Sequence, residues 1–274
     1  MTSRSASRVL AVAALAGLSL SGTAHADSFA GLGVSLTGTA SLPTSGLYAG
    51  QLLLTPSTSS AVGAAWLSAP VATAAPFLTT FSFNLSNVGG LGNADGVALV
   101  FQNIGTGALG SSGGSLGVDL PDNATLGGSV AAELQTFWQT YGIVRNTDAN
   151  GGPFSNSLAL ALASGDSLSQ ADLIVGTETV SYDPATHTLS QAIGLNYTLS
   201  GITTPIQVTT STNVDLAGLF GATVTVGLSA ATGGGTTDQT ITAWTVSSVP
   251  EPASWRFLAA GLLGIGAWFR RFSR

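Results

Sequence analysis

The sequence predicts an all-β protein, a sandwich of antiparallel sheets, and three observations lead there. From Thr79 to Ser86 apolar and polar residues alternate, with Phe81, Phe83 and Leu85 on one face and Thr80, Ser82, Asn84 and Ser86 on the other. Such alternation marks a strand with one buried and one solvated face. No stretch between residues 27 and 249 keeps a 3.6-residue apolar period over helical length. Gly, Pro and Ser turns cut the same region into short runs, the spacing of a many-stranded sandwich. Disorder is excluded: 45% of the residues are hydrophobic, and they fall in ordered runs.

In chain order, residues 1–26 read as a secretory signal. Arg4 and Arg8 form its basic end, Val9 to Leu20 its apolar segment, and Ala24-His25-Ala26 a small-x-small cleavage site with the cut after Ala26. Residues 27–60 hold weak strand patterns between turns, Ala64-Ala65-Trp66-Leu67 precedes a Pro70 to Pro76 connector, and the 79–86 strand follows. The stretch Asn93 to Gln139 then carries Ala94-Asp95-Gly96, the strand Val97 to Phe101, the turn Ser112 to Val118, and a second strand from Val130 that includes Glu133. Leu158 to Ala163 is a further apolar run. Val180 to Ser190 reads as a hairpin around Asp183-Pro184-Ala185-Thr186. Val224, Val226 and Leu228 alternate again, and Ile241 to Val246 closes the sandwich around Trp244. Phe81, Phe83, Leu99, Phe101, Val226 and Trp244 are expected in the core.

Charge narrows the function. From Asp27 to Val249 there are twelve acids, one arginine (Arg145) and no lysine, a net charge of −11. Nothing there can neutralise phosphates, so nucleic acid is excluded as a partner. The chain has no cysteine, so an exported fold of this size rests on its core rather than on disulfides.

Ala94-Asp95-Gly96-Val97-Ala98, the Gly113-Gly114-x-Leu116-Gly117 turn and Glu133-x-x-Thr136-Phe137 resemble three signatures of the legume-type (L-type) lectin domain, in its bacterial form. The hairpin Val180 to Leu189, the stretch Val226 to Gly233 and Trp244 to Ser248 resemble that family's late hairpin and closing strands, in the same order. The resemblance spans residues 27–249 and implies a concanavalin-like jelly roll of two large sheets and a small one. It also implies a sugar site. Asp95, held by a cis peptide after Ala94, accepts hydrogen bonds from sugar hydroxyls. Gly113 or Gly114 donates a backbone N–H, and Phe137 stacks on the pyranose face. The chemistry is coherent: a carboxylate takes hydroxyls, a glycine permits close approach and an aromatic covers C–H surface.

In that family calcium and a transition metal lie beside the sugar, held by a Glu, an Asp two residues on, an Asn, a further Asp and a His. Glu133 matches the first, and Asp148 could be the further Asp. Gln135, Gln139 and Ser157 stand at the bridging Asp, Asn and His positions. A neutral amide in place of a shared carboxylate removes the hard anionic oxygen that two dications need. No cofactor is therefore expected, and calcium should contribute little to any sugar binding.

Catalysis finds no support. After processing the only histidine is His187, in the hairpin turn. Glucanases on a similar jelly roll pair two strand carboxylates about 5–5.5 Å apart in retaining enzymes, whereas the matching strand Glu133-Leu134-Gln135-Thr136-Phe137 has one acid.

Residues 250–274 form the last segment. Pro250-Glu251-Pro252 is followed by the apolar stretch Phe257 to Phe269 and by Arg270, Arg271 and Arg274. This tail resembles the PEP-CTERM sorting signal of Gram-negative bacteria, associated with an exosortase-type processing enzyme and with exopolysaccharide. Its apolar part covers about 20 Å as a helix against a hydrocarbon core of about 30 Å, a short transmembrane segment suited to a temporary hold. The expectation is export, a transient stay in the inner membrane and release to the cell surface or matrix. Two function classes follow: a carbohydrate-binding surface protein, or a structural surface protein that keeps the lectin scaffold without a ligand.

Overall fold

The computed structural model describes residues 29–118, 128–145, 156–158 and 161–248. The signal with Ala24 and Ala26, the sorting tail with Pro250, Glu251 and Pro252, and Asp148 lie outside the described residues. Among those described, no helix is long and apolar enough to cross a membrane.

Two antiparallel sheets face each other. One carries β1 (Val34–Gly38), β3 (Val62–Leu67), β13 (Thr223–Ala231), β6 (Gly96–Gln102), β7 (Val130–Gln135), β8 (Thr140–Arg145) and β9 (Asn156–Ser157), in that spatial order, with β4 (Val71–Ala72) branching from β13. The other has six strands in the order β12 (Ile202–Asn213), β11 (Thr188–Leu199), β10 (Leu173–Asp183), β5 (Phe77–Gly90), β14 (Gly235–Ser248) and β2 (Leu52–Thr55). Among the described residues helix is confined to α1 (Phe29–Leu32) and α2 (Leu216–Phe220), apart from short 3₁₀ turns. The jelly roll is as expected. The separate small sheet is not: its nearest counterpart among the described residues is the two-residue β4 pairing, Thr223 with Ala72 and Val224 with Val71.

The core lies between the sheets. Phe81, Phe83, Leu99, Phe101, Val226 and Trp244 are each at most 2% exposed, as the alternation predicts. The expected hairpin forms, with Asp183 opposite Thr188. Its turn is tied by Ala185 N–H to Asp183 Oδ1 at 2.9 Å and Thr186 Oγ1–H to Asp183 Oδ2 at 3.0 Å.

Two local features add to that pattern. The strand from Val97 is buried on both faces, because a second apolar cluster covers its outer side. There the segment after β6 folds back, placing Leu116 and Val118 against Ala98, Val100 and Trp66, and Trp66 Nε1–H donates to Ala108 O at 2.9 Å. Of the apolar run Leu158 to Ala163, residues 159 and 160 lie outside the described residues. β9 ends at Ser157, and Ala161 N–H and Leu162 N–H return to Leu158 O at 2.8 and 3.1 Å, a helical turn. Leu158 is fully buried there, so the apolar signal reported burial rather than extension.

Candidate functional site

The loop before β6 is where the expected site residues meet. The peptide bond Ala94–Asp95 is cis. Every backbone polar group flanking it has a partner, as buried amides require. Ala94 N–H donates to Thr237 Oγ1 at 3.1 Å, and Gln239 Nε2–H donates to Ala94 O at 2.9 Å and to Ala231 O at 2.9 Å. Asp95 N–H donates to Ala231 O at 2.9 Å, and Asp95 O accepts Thr136 N–H at 2.8 Å. Thr136 Oγ1–H adds a bond to Asn93 O at 3.2 Å. Thr237 can serve this loop because β14 bulges between Thr236 and Asp238, which re-aims its hydroxyl. Gly96 follows at φ 134°, where a side chain would run into the Leu134 carbonyl. Only glycine fits.

The Asp95 side chain behaves differently from its backbone. It is 5% exposed, and its Oδ2 is buried without a hydrogen-bond partner. Desolvation pushes the carboxyl up to about 6, with no hydrogen bond opposing it. Two glycine turns border it: a Cβ on Gly233 would come within 3.0 Å of Oδ2, and one on Gly113 within 4.0 Å. Gly113 opens the 3₁₀ turn Gly113–Ser115. Its N–H donates to Thr232 O at 2.9 Å, so of the two glycines Gly114 is the one left to face a ligand.

Phe137 is half-buried, and the aromatic that faces solvent is its neighbour Trp138, 60% exposed. The two rings meet edge to face, with centroids 5.4 Å apart at 88°. A Cβ on Gly114 would lie 3.0 Å from Trp138 Nε1, so the indole rests on that glycine. On the other side Leu91, 74% exposed, lies against Gly234 in the same way. A shallow trough results, with Asp95 at its floor and Trp138 and Leu91 at its rims. Trp138, Leu91 and Gly233 were not singled out in the sequence. The run Gly233-Gly234-Gly235 and an aromatic pair after an acidic strand were the available signals.

The residues at the metal positions do not fit a pair of cations. Gln135 is 1% exposed, and its Nε2 donates to Gly114 O at 2.9 Å and to Glu133 Oε2 at 3.1 Å. The amide nitrogen faces two acceptors, which fixes its orientation. Its N–H groups thus bridge the Glu133 carboxylate and the Gly114 carbonyl, and the amide offers no anionic oxygen for two cations to share. Gln139 adopts φ 55° and uses its carbonyl to accept Leu158 N–H at 2.8 Å, and Ser157 pairs with Thr140 in the sheet. Among the described residues no three His, Cys, Asp or Glu side chains cluster as metal ligands.

Behind Glu133 lies an acid the sequence reading passed over. Glu178 is fully buried, and Gln191 Nε2 donates to its Oε1 at 3.0 Å and to Glu133 O at 3.1 Å. Burial pushes the Glu178 carboxyl up to about 8; the Glu133 charge adds to this, and the Gln191 hydrogen bond works against it. His187 lies far away, 44% exposed with Nδ1 3.3 Å from Asp215 Oδ1. Its hairpin flanks the Phe77 end of β5, whereas the Asp95 trough adjoins the Gly90 end.

Comparison with known proteins places this geometry in a family. The family described as Legume lectin domain matches residues 26–258. Winged bean acidic lectin, solved in complex with methyl-α-D-galactose, is 26% identical; the match covers 80% of this chain and 93% of that one, with a TM-score of 0.55. The lectin from Bauhinia forficata in complex with GalNAc is 24% identical over 79% of this chain and 93% of its own, with a TM-score of 0.58. Arcelin-5 from Phaseolus vulgaris, a lectin-like defense protein, is 19% identical over 79% and 92%, with a TM-score of 0.56. The last two show likeness of fold alone. No curated protein matches the chain.

Proposed function

The chain belongs to the legume lectin family, and on that premise we propose that it is an exported carbohydrate-binding protein whose site is the trough around Asp95. The observation that carries this reading is the Asp95 carboxylate, nearly buried yet with no hydrogen-bond donor to its Oδ2 among the described residues. A buried acceptor left open costs free energy unless a ligand completes it. Sugar hydroxyls would do so, and charge-assisted bonds of that kind are the strong ones. The exposed Trp138 beside Gly114 and the half-buried Phe137 offer apolar surface for C–H faces. Binding of this kind involves no bond making, in keeping with a family that is generally not enzymatic.

The site works without calcium or a transition metal. In other members of the fold a metal pair would order these loops. Here hydrogen bonds donated by Gln135, Thr136 and Gln239, and one accepted by Thr237 from Ala94 N–H, supply that order to the Asp95 loop and the Gly114 turn from within the chain.

The second reading, a surface protein on a lectin scaffold without a ligand, draws on the Gly113 N–H already engaged by Thr232 O. A glycan array with and without chelator separates the two. Saccharide binding unchanged by chelator is expected, and lost by Asp95→Ala. Absence of any binding favours the scaffold reading.

Export rests on residues 1–26, with cleavage after Ala26. Residues 250–274 would hold the chain in the inner membrane of a Gram-negative cell until an exosortase-type enzyme cuts near Pro250-Glu251-Pro252, releasing it to the surface or to an exopolysaccharide matrix. Replacing that tripeptide by alanines should leave a larger, membrane-retained form. Surface delivery at wild-type size and yield would overturn the sorting proposal.

A further inference from the structure

We propose that the Asp95 trough is built for an amino sugar with a free ammonium group, and ranks ligands by charge, amino sugar above neutral sugar above uronate. The inference rests on the carbohydrate reading above and goes beyond it by assigning the ligand's charge.

Asp95 is 5% exposed, and its Oδ2 has no partner. A carboxylate taken out of water needs donors and, more effectively, a counter-charge. Among the described residues none supplies a counter-charge there. Between residues 27 and 249 the only Lys or Arg is Arg145, against twelve acids. Arg145 stands opposite Val130, while Gln135 closes the other end of β7, about 16 Å along the strand. His187 lies beyond the far end of β5, roughly 40 Å along that strand from Gly90. Residues 119–127 and 146–155 bring Asp119, Asp122 and Asp148 but no Lys, Arg or His, whatever their conformation.

A neutral sugar would satisfy the hydrogen-bonding capacity of Asp95 and leave its charge uncompensated. An ammonium does both. Trp138, 60% exposed on Gly114, adds an aromatic surface that attracts cations. A uronate or sulfate would bring a second negative charge against the Asp95 carboxylate.

The test is calorimetry on the full chain with disaccharides of glucosamine and of galactosamine, their N-acetylated forms and the matching uronates. At pH 7 the free amine should bind at least about tenfold tighter than the N-acetylated form, with the uronate weakest. The gap should narrow several-fold between about 20 mM and about 0.5 M salt. Asp95→Asn should abolish the gap, and Trp138→Ala, at an exposed position where folding is not at stake, should reduce it. N-acetylated sugars binding as tightly as the amines would overturn the ammonium assignment and leave the carbohydrate reading standing. A gap that survives in both variants would trace to net charge alone and overturn the assignment too. Binding of no saccharide would overturn both readings.

Discussion

Two buried aspartates at the same end of the sandwich have opposite surroundings. Asp238 on β14 is 7% exposed and takes three donors: Tyr48 O–H at 2.6 Å, Asn87 Nδ2–H at 2.8 Å and Ser57 N–H at 2.6 Å. Those bonds tie the segments on either side of β2 and the far part of β5 to the closing strand. Asp95 is as deeply placed at 5% exposed, and its Oδ2 receives no donor among the described residues. One acid is spent on the fold, and the other is held open at a cost. The contrast separates structure from function among residues that look alike in the sequence, because stability alone would not keep an unpaired buried acid.

The most disruptive way to probe this contrast is Asp238→Ala. Three donors lose their acceptor, and the domain should lose about 3 kcal/mol in chemical denaturation. Asp95→Asn should do the reverse, leaving stability at pH 7 unchanged or raising it by up to about 2 kcal/mol while weakening saccharide binding and removing the preference for amino sugars. Equal destabilisation by the two substitutions would break the comparison.

Glu178 sharpens it from within the core. Its carboxyl is raised from 4.5 to about 8, so the fold retains a proton that the unfolded chain releases. The stability from this group is therefore complete below about pH 4.5 and declines as pH rises to about 8. Glu178→Gln should flatten that decline and gain on the order of 2 kcal/mol at pH 8, read from melting curves across pH. A steeper decline in the variant would show that the proton is not held there.

Binding at Asp95 should follow its own titration. The carboxyl is raised from 3.8 to about 6, and a ligand that donates hydrogen bonds favours the charged form. Affinity should hold above pH 6 and fall up to about tenfold per unit below it. A flat profile down to pH 4.5 would place the ligand elsewhere.

The smallest expected effect is at Gln135. Gln135→Ala removes the bonds to Gly114 O and Glu133, costing about 1–2 kcal/mol and shifting Trp138 fluorescence through the loosened turn. Chelator should change neither the melting temperature nor that fluorescence. A fall in melting temperature on chelation would mean that a metal helps hold the trough.

The fold and half of the trough were legible in residue order. Strand alternation is local chemistry, and so are the glycines at 96, 113 and 114 and an acid before a strand. A two-residue period or a positive φ can be read from a few neighbours. What tertiary structure decided is who completes the site. Thr237 and Gln239 reach Ala94 from 143 and 145 positions away, and Gly233 closes over Asp95 from β13's end. Phe137 and Trp138 are adjacent in the chain, and only the turn after β7 determines which of them faces solvent. Likewise Glu178 occupies an alternating strand of unremarkable pattern, where nothing local tells an inward acid from an outward one. Whether a buried polar group is satisfied depends on what the other strands bring to it, and that pairing is a property of sheet register, not of neighbours in sequence.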